Sequence, residues 1–388
     1  MPRTNAPLGK LNTAIDVASA SLVERRQLVE LVFLALIARE HLLFIGPPGT
    51  AKSAAVRLAA QQVGGRYFEY LIGRFTEPSE IFGSLNLEAL RQGRVEPEVA
   101  GMLPEADIAF LDEIFLGSTA ILNTLLTLLN ERRYRRGHFE TATPLRSCVA
   151  AANSLPEEGM LQAFADRFLL TVFVEPTGDH ALEDLLQAGW RLDASMAAGG
   201  AKPSMTIADI DALHKLAMAV DLSPIQAPYA HLVRKLRGHN VNLSDRRVVR
   251  GQKLIAAAAV AAGRSVAETA DLWPVIYLVQ DKPLQQEVRD LLARELEQSA
   301  NAAMPEAVKD ASFGIAARTQ ELVAHAAQLL EQQPLEAEAF EGWLVRVESL
   351  LAQIDAGFAK DKLPQELAER YDQLTAAAMK AGRQEAAE

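Results

Sequence analysis

Apolar and polar positions alternate between two regimes along this chain. Residues 19–39 begin mixed and become mostly apolar, with Leu28, Leu31, Val32 and Ala35 on one stripe at helical spacing, which predicts a helix. A short apolar run, His41 to Ile45, follows and is closed by Gly46 and two prolines. That pattern marks a strand buried on both faces in a parallel sheet. A helix is expected over Lys52 to Val63, ended by Gly64-Gly65, then strands at Tyr67 to Leu71 and Ile108 to Leu111. Thr119 to Glu131 predicts a helix, Ser147 to Ala152 a strand ending at Asn153, and Leu169 to Val174 a strand stopped by Pro176. Short buried strands alternating with helices imply βαβ units around a parallel sheet.

Beyond Pro176 the pattern is helical throughout, broken at Ala198 to Pro203 and at Ser223-Pro224. Three domains are expected: an α/β core over 1–178, an all-α domain over 179–285, and a helical extension over 286–388. The extension should carry helices at Thr319 to Gln332, Leu335 to Ile354 and Leu363 to Ala381.

Composition narrows the class. The chain has 388 residues, enough for two or three domains. Apolar residues make up 49%, which suits a packed core and argues against disorder. A formal net charge of -11 repels phosphate backbones and disfavours general nucleic-acid binding. Cys148 is the single cysteine, so no intrachain disulfide can form, in keeping with a reducing cytoplasm. Residues 1–20 lack the apolar run of a signal peptide, and Leu28 to Ile37 is too short to span a bilayer, so a cytoplasmic protein without a membrane span is expected.

The candidate chemistry begins at Gly46, Pro47, Pro48, Gly49, Thr50, Ala51, Lys52 and Ser53. The phosphate-loop pattern is G-x-x-x-x-G-K-[ST], and Ala51 stands where its second glycine should be. Such a loop turns backbone N–H groups onto phosphates, and the following helix adds the positive end of its dipole. Lys52 would neutralise the β- and γ-phosphates of ATP, and Ser53 would ligate Mg²⁺. A Pro/Gly turn that happens to precede a lysine is the bland alternative.

Asp112 and Glu113 close the strand from Ile108, and two adjacent carboxylates there call for a cation. Asp112 would hold Mg²⁺, and Glu113 would orient and deprotonate the attacking water. Asn153 could hydrogen-bond the γ-phosphate or that water. Ligands of open α/β sheets lie at the carboxyl ends of strands, where all three groups would converge.

Taken together, GPPGTAKS at 46–53, FLDEIFLGSTAILNTLLTLLNER at 110–132, AAANSLPEE at 150–158, ADRF at 165–168 and LSDRR at 243–247 resemble the AAA+ ATPases of the MoxR family, in particular its RavA-like members. RavA-like proteins also carry alanine at the position of Ala51. The resemblance implies an α/β P-loop core, an all-α lid and a hexameric ring with ATP at subunit interfaces. It implies that Arg167 is the arginine finger, reaching the neighbouring subunit's γ-phosphate. It also implies that Arg246 is the sensor 2 arginine on the lid, which with Lys52 and Asn153 stabilises the transferring phosphoryl group, with Arg247 as the competing assignment. A pore-facing insert at Glu80 to Pro104 and a hairpin at Arg132 to Arg146 are expected. The implied work is remodelling, maturation or metal loading of a client, with a von Willebrand factor A-domain partner.

RavA-like chains carry a compact β-rich insert near the C-terminus, and residues 300–388 show no alternating pattern for one. Two rival functions stay open: a nucleic-acid translocase, which Arg132, Arg133, Arg135 and Arg136 would favour, and a nucleotide-dependent switch with little turnover.

Overall fold

A computed structural model describes residues 5–157, 159–178, 181–197, 202–312, 315–332, 337–358 and 363–385. Its strands are β1 (Leu42–Ile45), β2 (Tyr67–Leu71), β3 (Ile108–Asp112), β4 (Arg133–Arg136), β5 (Phe139–Ala142), β6 (Ser147–Ala152) and β7 (Leu170–Phe173). The helices through the sheet region are α1 (Asn5–Ser19), α2 (Arg26–Ala38), α3 (Lys52–Val63), α4 (Pro78–Phe82), α5 (Leu87–Arg91), α6 (Thr119–Glu131) and α7 (Gly159–Ala165). Then follow α8 (Leu182–Ala197), α9 (Ile207–Met218), α10 (Gln226–Gly238), α11 (Asp245–Ala261), α12 (Lys282–Leu291), α13 (Ala293–Leu296) and α14 (Pro305–Ser312). The last three are α15 (Ile315–Glu331), α16 (Ala337–Gly357) and α17 (Gln365–Glu385).

Five strands form one parallel sheet in the order β2-β3-β6-β1-β7, flanked by helices, as the alternating pattern predicts. Its central strands are buried on both sides, which is why they read as unbroken apolar runs. Alternate residues feed two cores. Leu42, Phe44, Phe110, Val149, Ala151 and Val172 face one with α2, α9 and α11. Leu43, Ala109, Leu111, Cys148 and Ala150 face the other with α6. Strands β4 and β5 form the expected antiparallel hairpin. Residues 78–104 form a short-helix excursion closed by the Leu85–Pro97 bridge, with positive φ at Gly83, Gly93 and Gly101.

From residue 177 on, no strand occurs among the described residues. The chain divides into two compact units, Met1–Pro176 with Ala188–Ser312, and Thr177–Gln187 with Phe313–Glu388. The first takes in the sheet together with α9 to α14. The second has its own apolar core, in which Trp343, Val347, Leu350 and Ile354 of α16 meet Leu322 and Leu329 of α15 and Leu367 and Leu374 of α17. The expected break at Ala198 to Pro203 lies partly outside the described residues. No helix among the described residues is long and apolar enough to cross a membrane.

Helix α2 is buried on every side from Leu28 to Ala38, Glu30 included. The Glu30 carboxylate accepts bonds from Arg26 Nε at 2.8 Å and from the Ala307 backbone N–H at 2.7 Å. Burial outweighs these bonds and lifts its pKa from 4.5 to about 7. A raised acid pKa means that the folded state binds the proton more tightly. Glu30 therefore contributes most below about pH 4.5, and its contribution falls as pH rises through 7. Denaturant unfolding at pH 5 and pH 8 should show the wild type losing stability relative to Glu30→Gln as pH rises. The relative loss should be about 3 kcal/mol at most, and a difference that does not vary with pH would contradict this.

Candidate functional site

Gly46 fixes the start of the phosphate loop. Its N–H donates to Ala152 O at 3.0 Å, while Val174 N–H donates to Ile45 O at 2.7 Å. A Cβ at Gly46 would sit 2.1 Å from Val174 O, so no other residue fits between β1 and the end of β7. Gly49 has φ +80°, a region glycine enters without strain. Ala51, directly before α3, has φ 61° and ψ 23°, a left-handed conformation that costs an alanine roughly 1 kcal/mol. The departure from the strict loop pattern is therefore a matter of backbone strain.

Two groups brace the loop. Thr50 Oγ1 donates to Pro47 O at 2.9 Å. Arg25, a buried residue that sequence reasoning did not single out, donates from Nε to Thr50 O at 2.9 Å and from Nη2 to Glu175 O at 2.8 Å. It thus ties the loop to the segment after β7. Its only sequence signal is its place just before an apolar helix. Lys52 Nζ donates to Gly46 O and Pro47 O, both at 2.7 Å. Burial lowers the Lys52 pKa, with Asp112 and Glu113 opposing that fall.

Those two acids lie at the end of β3. Glu113 adopts φ 50° and ψ 43°, and its N–H donates to Asp112 Oδ1 at 3.0 Å. Asn153, one residue past β6, donates from Nδ2 to Glu113 Oε1 at 2.7 Å. The loop residues 46–53, Asp112, Glu113 and Asn153 thus gather at the carboxyl ends of β1, β3 and β6. Mg²⁺ in phosphate sites keeps several waters and takes one or two protein ligands beside phosphate oxygens. Ser53 follows Lys52 in the first turn of α3, and Asp112 is near enough to Lys52 to act on its charge, so their oxygens are the candidate donors.

Arg167 and Arg246 lie elsewhere. Arg246 hydrogen-bonds Asn130 at the last turn of α6. The neighbouring Leu129 carbonyl contacts His41 Nε2 at 3.0 Å, and His41 precedes β1. Arg167 stands just before Phe168 and β7, and its positive charge depresses the Arg246 pKa, though less than burial and Arg250 do. Both arginines are therefore at the amino ends of the strands, and within one chain Arg246 does not join Lys52 and Asn153. Arg167 Nε is buried with no hydrogen-bond partner, and its Nη1 is 3.8 Å from Asp166.

Arg247 differs from its neighbour. It is buried and donates to Leu278 O at 3.0 Å, Phe168 O at 3.0 Å and Leu169 O at 2.7 Å. These bonds fasten α11 to the start of β7, which makes Arg247 a structural clamp. The hairpin arginines are also engaged. Arg133 and Arg135 bond Glu140, and Arg136 donates to Gly83 O at 2.7 Å. Arg133 and Arg135 share the single Glu140 and stay exposed, and Arg136 bonds a neutral carbonyl, so the hairpin keeps a surplus of positive charge.

Comparison with known proteins agrees with this geometry. A family model described as the MoxR domain of the MoxR-vWA-beta-propeller ternary systems matches residues 9–215. A model described as an AAA lid domain matches residues 228–292. Two uncharacterized proteins of Methanocaldococcus jannaschii are each 36% identical to this chain. One aligns over 266 residues, 68% of either chain, and the other over 265, 67% of this chain and 69% of the relative. The chaperone MoxR1 of Mycobacterium tuberculosis is 30% identical over 173 residues, 44% of this chain and 45% of that protein. The crystal structure of a candidate ATPase from Cytophaga hutchinsonii superposes with a TM-score of 0.62 at 16% identity, over 77% of this chain and 97% of the other. At that identity the likeness concerns the fold.

Two stability measurements check the local arguments. Arg247→Met should lower the unfolding free energy by about 3–5 kcal/mol, because buried carbonyls lose their donor, while Arg246→Gln should change it by less than about 1 kcal/mol. Similar effects for both would contradict the clamp. Ala51→Gly should raise stability by about 1 kcal/mol in the same denaturant titration, because glycine relieves the left-handed strain. A loss would contradict the strain argument.

Proposed function

The chain belongs to the MoxR family of AAA+ ATPases, and from that premise we propose that it hydrolyses ATP at the subunit interfaces of a homo-hexameric ring to remodel client proteins. The observation that carries the reading is the 2.7 Å bond from Asn153 to Glu113 at the edge that also holds the Lys52 loop. Glu113 is the general base that takes a proton from the attacking water. Asn153 holds that carboxylate and the water in line. Lys52 leaves the loop carbonyls for the β- and γ-phosphates. Ser53 and Asp112 hold Mg²⁺, which when bound supplies positive charge against the transferring phosphoryl group. Gly46, Pro47, Pro48, Gly49, Thr50 and Ala51 wrap the phosphates with backbone.

Arg167 and Arg246 act in a neighbour's site. Their place at the amino ends of the strands, with Arg167 Nε unpartnered, supports this, and it makes turnover depend on assembly. The functional division we propose is a core over 1–178, a lid over 179–285 and a helical extension over 286–388, with the lid transmitting the nucleotide state. A von Willebrand factor A-domain protein is the proposed partner, which the description of the matching family model supports. Client maturation, or loading of a metal or cofactor, is the proposed outcome, in the cytoplasm. RavA-like membership is proposed from Ala51, although helices alone among the described residues after 176 leave no place for that group's β-rich insert.

The test separates chemistry from assembly. Glu113→Gln should bind ATP with near-normal affinity and lose at least about 100-fold in kcat. Lys52→Ala should lose binding. Rings mixed from Arg167→Ala and Lys52→Ala subunits should recover activity that neither variant has alone, because some interfaces then pair an intact loop with an intact arginine. Full turnover by Glu113→Gln would sink the hydrolytic reading, and no recovery in mixed rings would sink the arginine assignment.

A further inference from the structure

At the amino ends of the strands, away from this chain's own phosphate loop, lies a second concave site, adjoining Arg246 through Asn130, which lines it. A cavity of about 480 Å³ is lined by Arg39, Arg132, Arg146, Arg250, Lys253 and Glu40, with His214 on its wall. That volume falls in the range of small-molecule sites. The cations come from separate parts of the fold. Arg39 ends α2, Arg132 ends α6, Arg146 precedes β6, and Arg250 and Lys253 stand one turn apart on α11.

The charges do not cancel. Glu40 bonds Lys253 at 2.9 Å and Arg250 at 3.3 Å. Asp211 bonds Arg39 at 2.7 Å and Arg146 at 2.8 Å, and Asp107 bonds Arg146 at 2.5 Å. Five guanidinium or ammonium groups therefore face three carboxylates, a surplus of two positive charges. Arg132 is the least compensated. Its Nη2 donates to the carbonyls of Arg39 at 2.9 Å and Arg146 at 3.3 Å, and its Nη1 is buried without a partner. Burial pulls the Arg132 pKa down to about 10, with Arg250 and Arg39 adding to the fall and Glu40 opposing it.

Two other lining side chains repeat the pattern. Arg39 Nε is buried with no partner, and so is Oγ1 of Thr143, a residue only 8% exposed. These three atoms are themselves closed to solvent, so the draw on a guest comes from the surplus positive charge of the cations that line the cavity. Guanidinium groups match phosphate oxygens in geometry and charge. The lining offers no Phe, Tyr or Trp on which a base could stack.

We propose that this cavity binds a small multivalent oxyanion of the di- or polyphosphate class, at a site separate from the phosphate loop. The anion bridges α2, α6 and the segment before β6 to α11, and so tightens the packing of the helical region onto the sheet. A concave site with cations on several walls suits a compact guest better than an extended polyanion, whose phosphates would need a stripe of charge.

Calorimetric titration of the full chain, with ADP and Mg²⁺ first saturating the phosphate loop, tests this. Inorganic tripolyphosphate and fructose 1,6-bisphosphate are the two probes, and they distinguish an inorganic chain from a phosphorylated metabolite. At least one should bind once per chain and raise the melting temperature, in the wild type and in Lys52→Ala alike. Lys253→Gln, at a half-exposed rim position, should weaken it at least about 5-fold, and Arg132→Gln more strongly. Because Arg132→Gln risks misfolding, the Lys253 variant decides. Failure of both probes to saturate at millimolar concentration in about 0.1 M salt would overturn the proposal. So would binding that Lys253→Gln leaves unchanged, or binding lost in Lys52→Ala. Tight binding of single-stranded nucleic acid or an acidic peptide while both probes fail would overturn it as well.

Discussion

The close approach of Gly46 to Val174 governs the architecture around the nucleotide edge. A carbonyl oxygen stands 2.1 Å from where a Cβ would be, so β1 can pass to the loop there only through glycine. That approach lets Gly46 N–H bond Ala152 O and Val174 N–H bond Ile45 O, which stitches the loop's first residue between β6 and β7. Asn153 follows Ala152 directly, so the same stitch sets the amide's height relative to the loop. Strand pairing carries the register onward, from Leu111 opposite Ala150 to the two acids. The reach of Asn153 to Glu113 is thus a consequence of backbone pairing in the sheet core.

The two ends of the sheet divide the labour. The carboxyl ends gather acids, an amide and one lysine, while the amino ends gather arginines. Strand β1 has four residues and spans roughly 13 Å, so the two sets stay apart within one subunit. A catalytic arginine at the amino ends has work to do only if another copy of the chain presents its carboxyl end. Arg247 makes the arrangement firm, because its bonds to the carbonyls of Phe168 and Leu169 hold α11 at the start of β7. Arg246 beside it bonds the side chain of Asn130. Adjacent arginines are thus held unlike each other, one by buried backbone carbonyls and one by a side chain.

Much of this was legible in the sequence because it is local. Four-to-six-residue apolar runs closed by Gly, Pro, Asp or Asn gave the strands of the sheet within a residue or two. The adjacency of the loop, the acids and Asn153 followed from the rule that ligands sit at strand carboxyl ends. Helix α1 was missed, although Leu11, Ala14, Ile15 and Ala18 carry the helical spacing and are fully buried. Arg25 was not separable from ordinary charged residues, and Arg247 was legible only as a rival to Arg246 and not as a clamp, since each acts through carbonyl oxygens that tertiary packing alone brings near. The position of Arg246 was likewise invisible, because spacing cannot say at which end of a sheet a distant helix will dock.

Backbone strain points to the same places as the side chains. Among the described residues, six non-glycine residues have positive φ: Glu24, Arg39, Ala51, Glu113, Arg132 and Asn240. Ala51 and Glu113 lie in the loop and acid pair at the carboxyl ends of the strands, and Glu24 adjoins the Arg25 brace. Arg39 and Arg132 end α2 and α6 in the left-handed conformation, where glycine is the usual choice. Glycine there would relieve the backbone but would remove the two guanidinium groups that wall the basic cavity. Each left-handed residue costs roughly 1 kcal/mol, and such outliers persist where surrounding structure over-determines them. Four of the six belong either to the loop and acid pair, Ala51 and Glu113, or to the wall of the basic cavity, Arg39 and Arg132. Strain is thus kept at both ends of one sheet, where the packing around each residue over-determines its backbone.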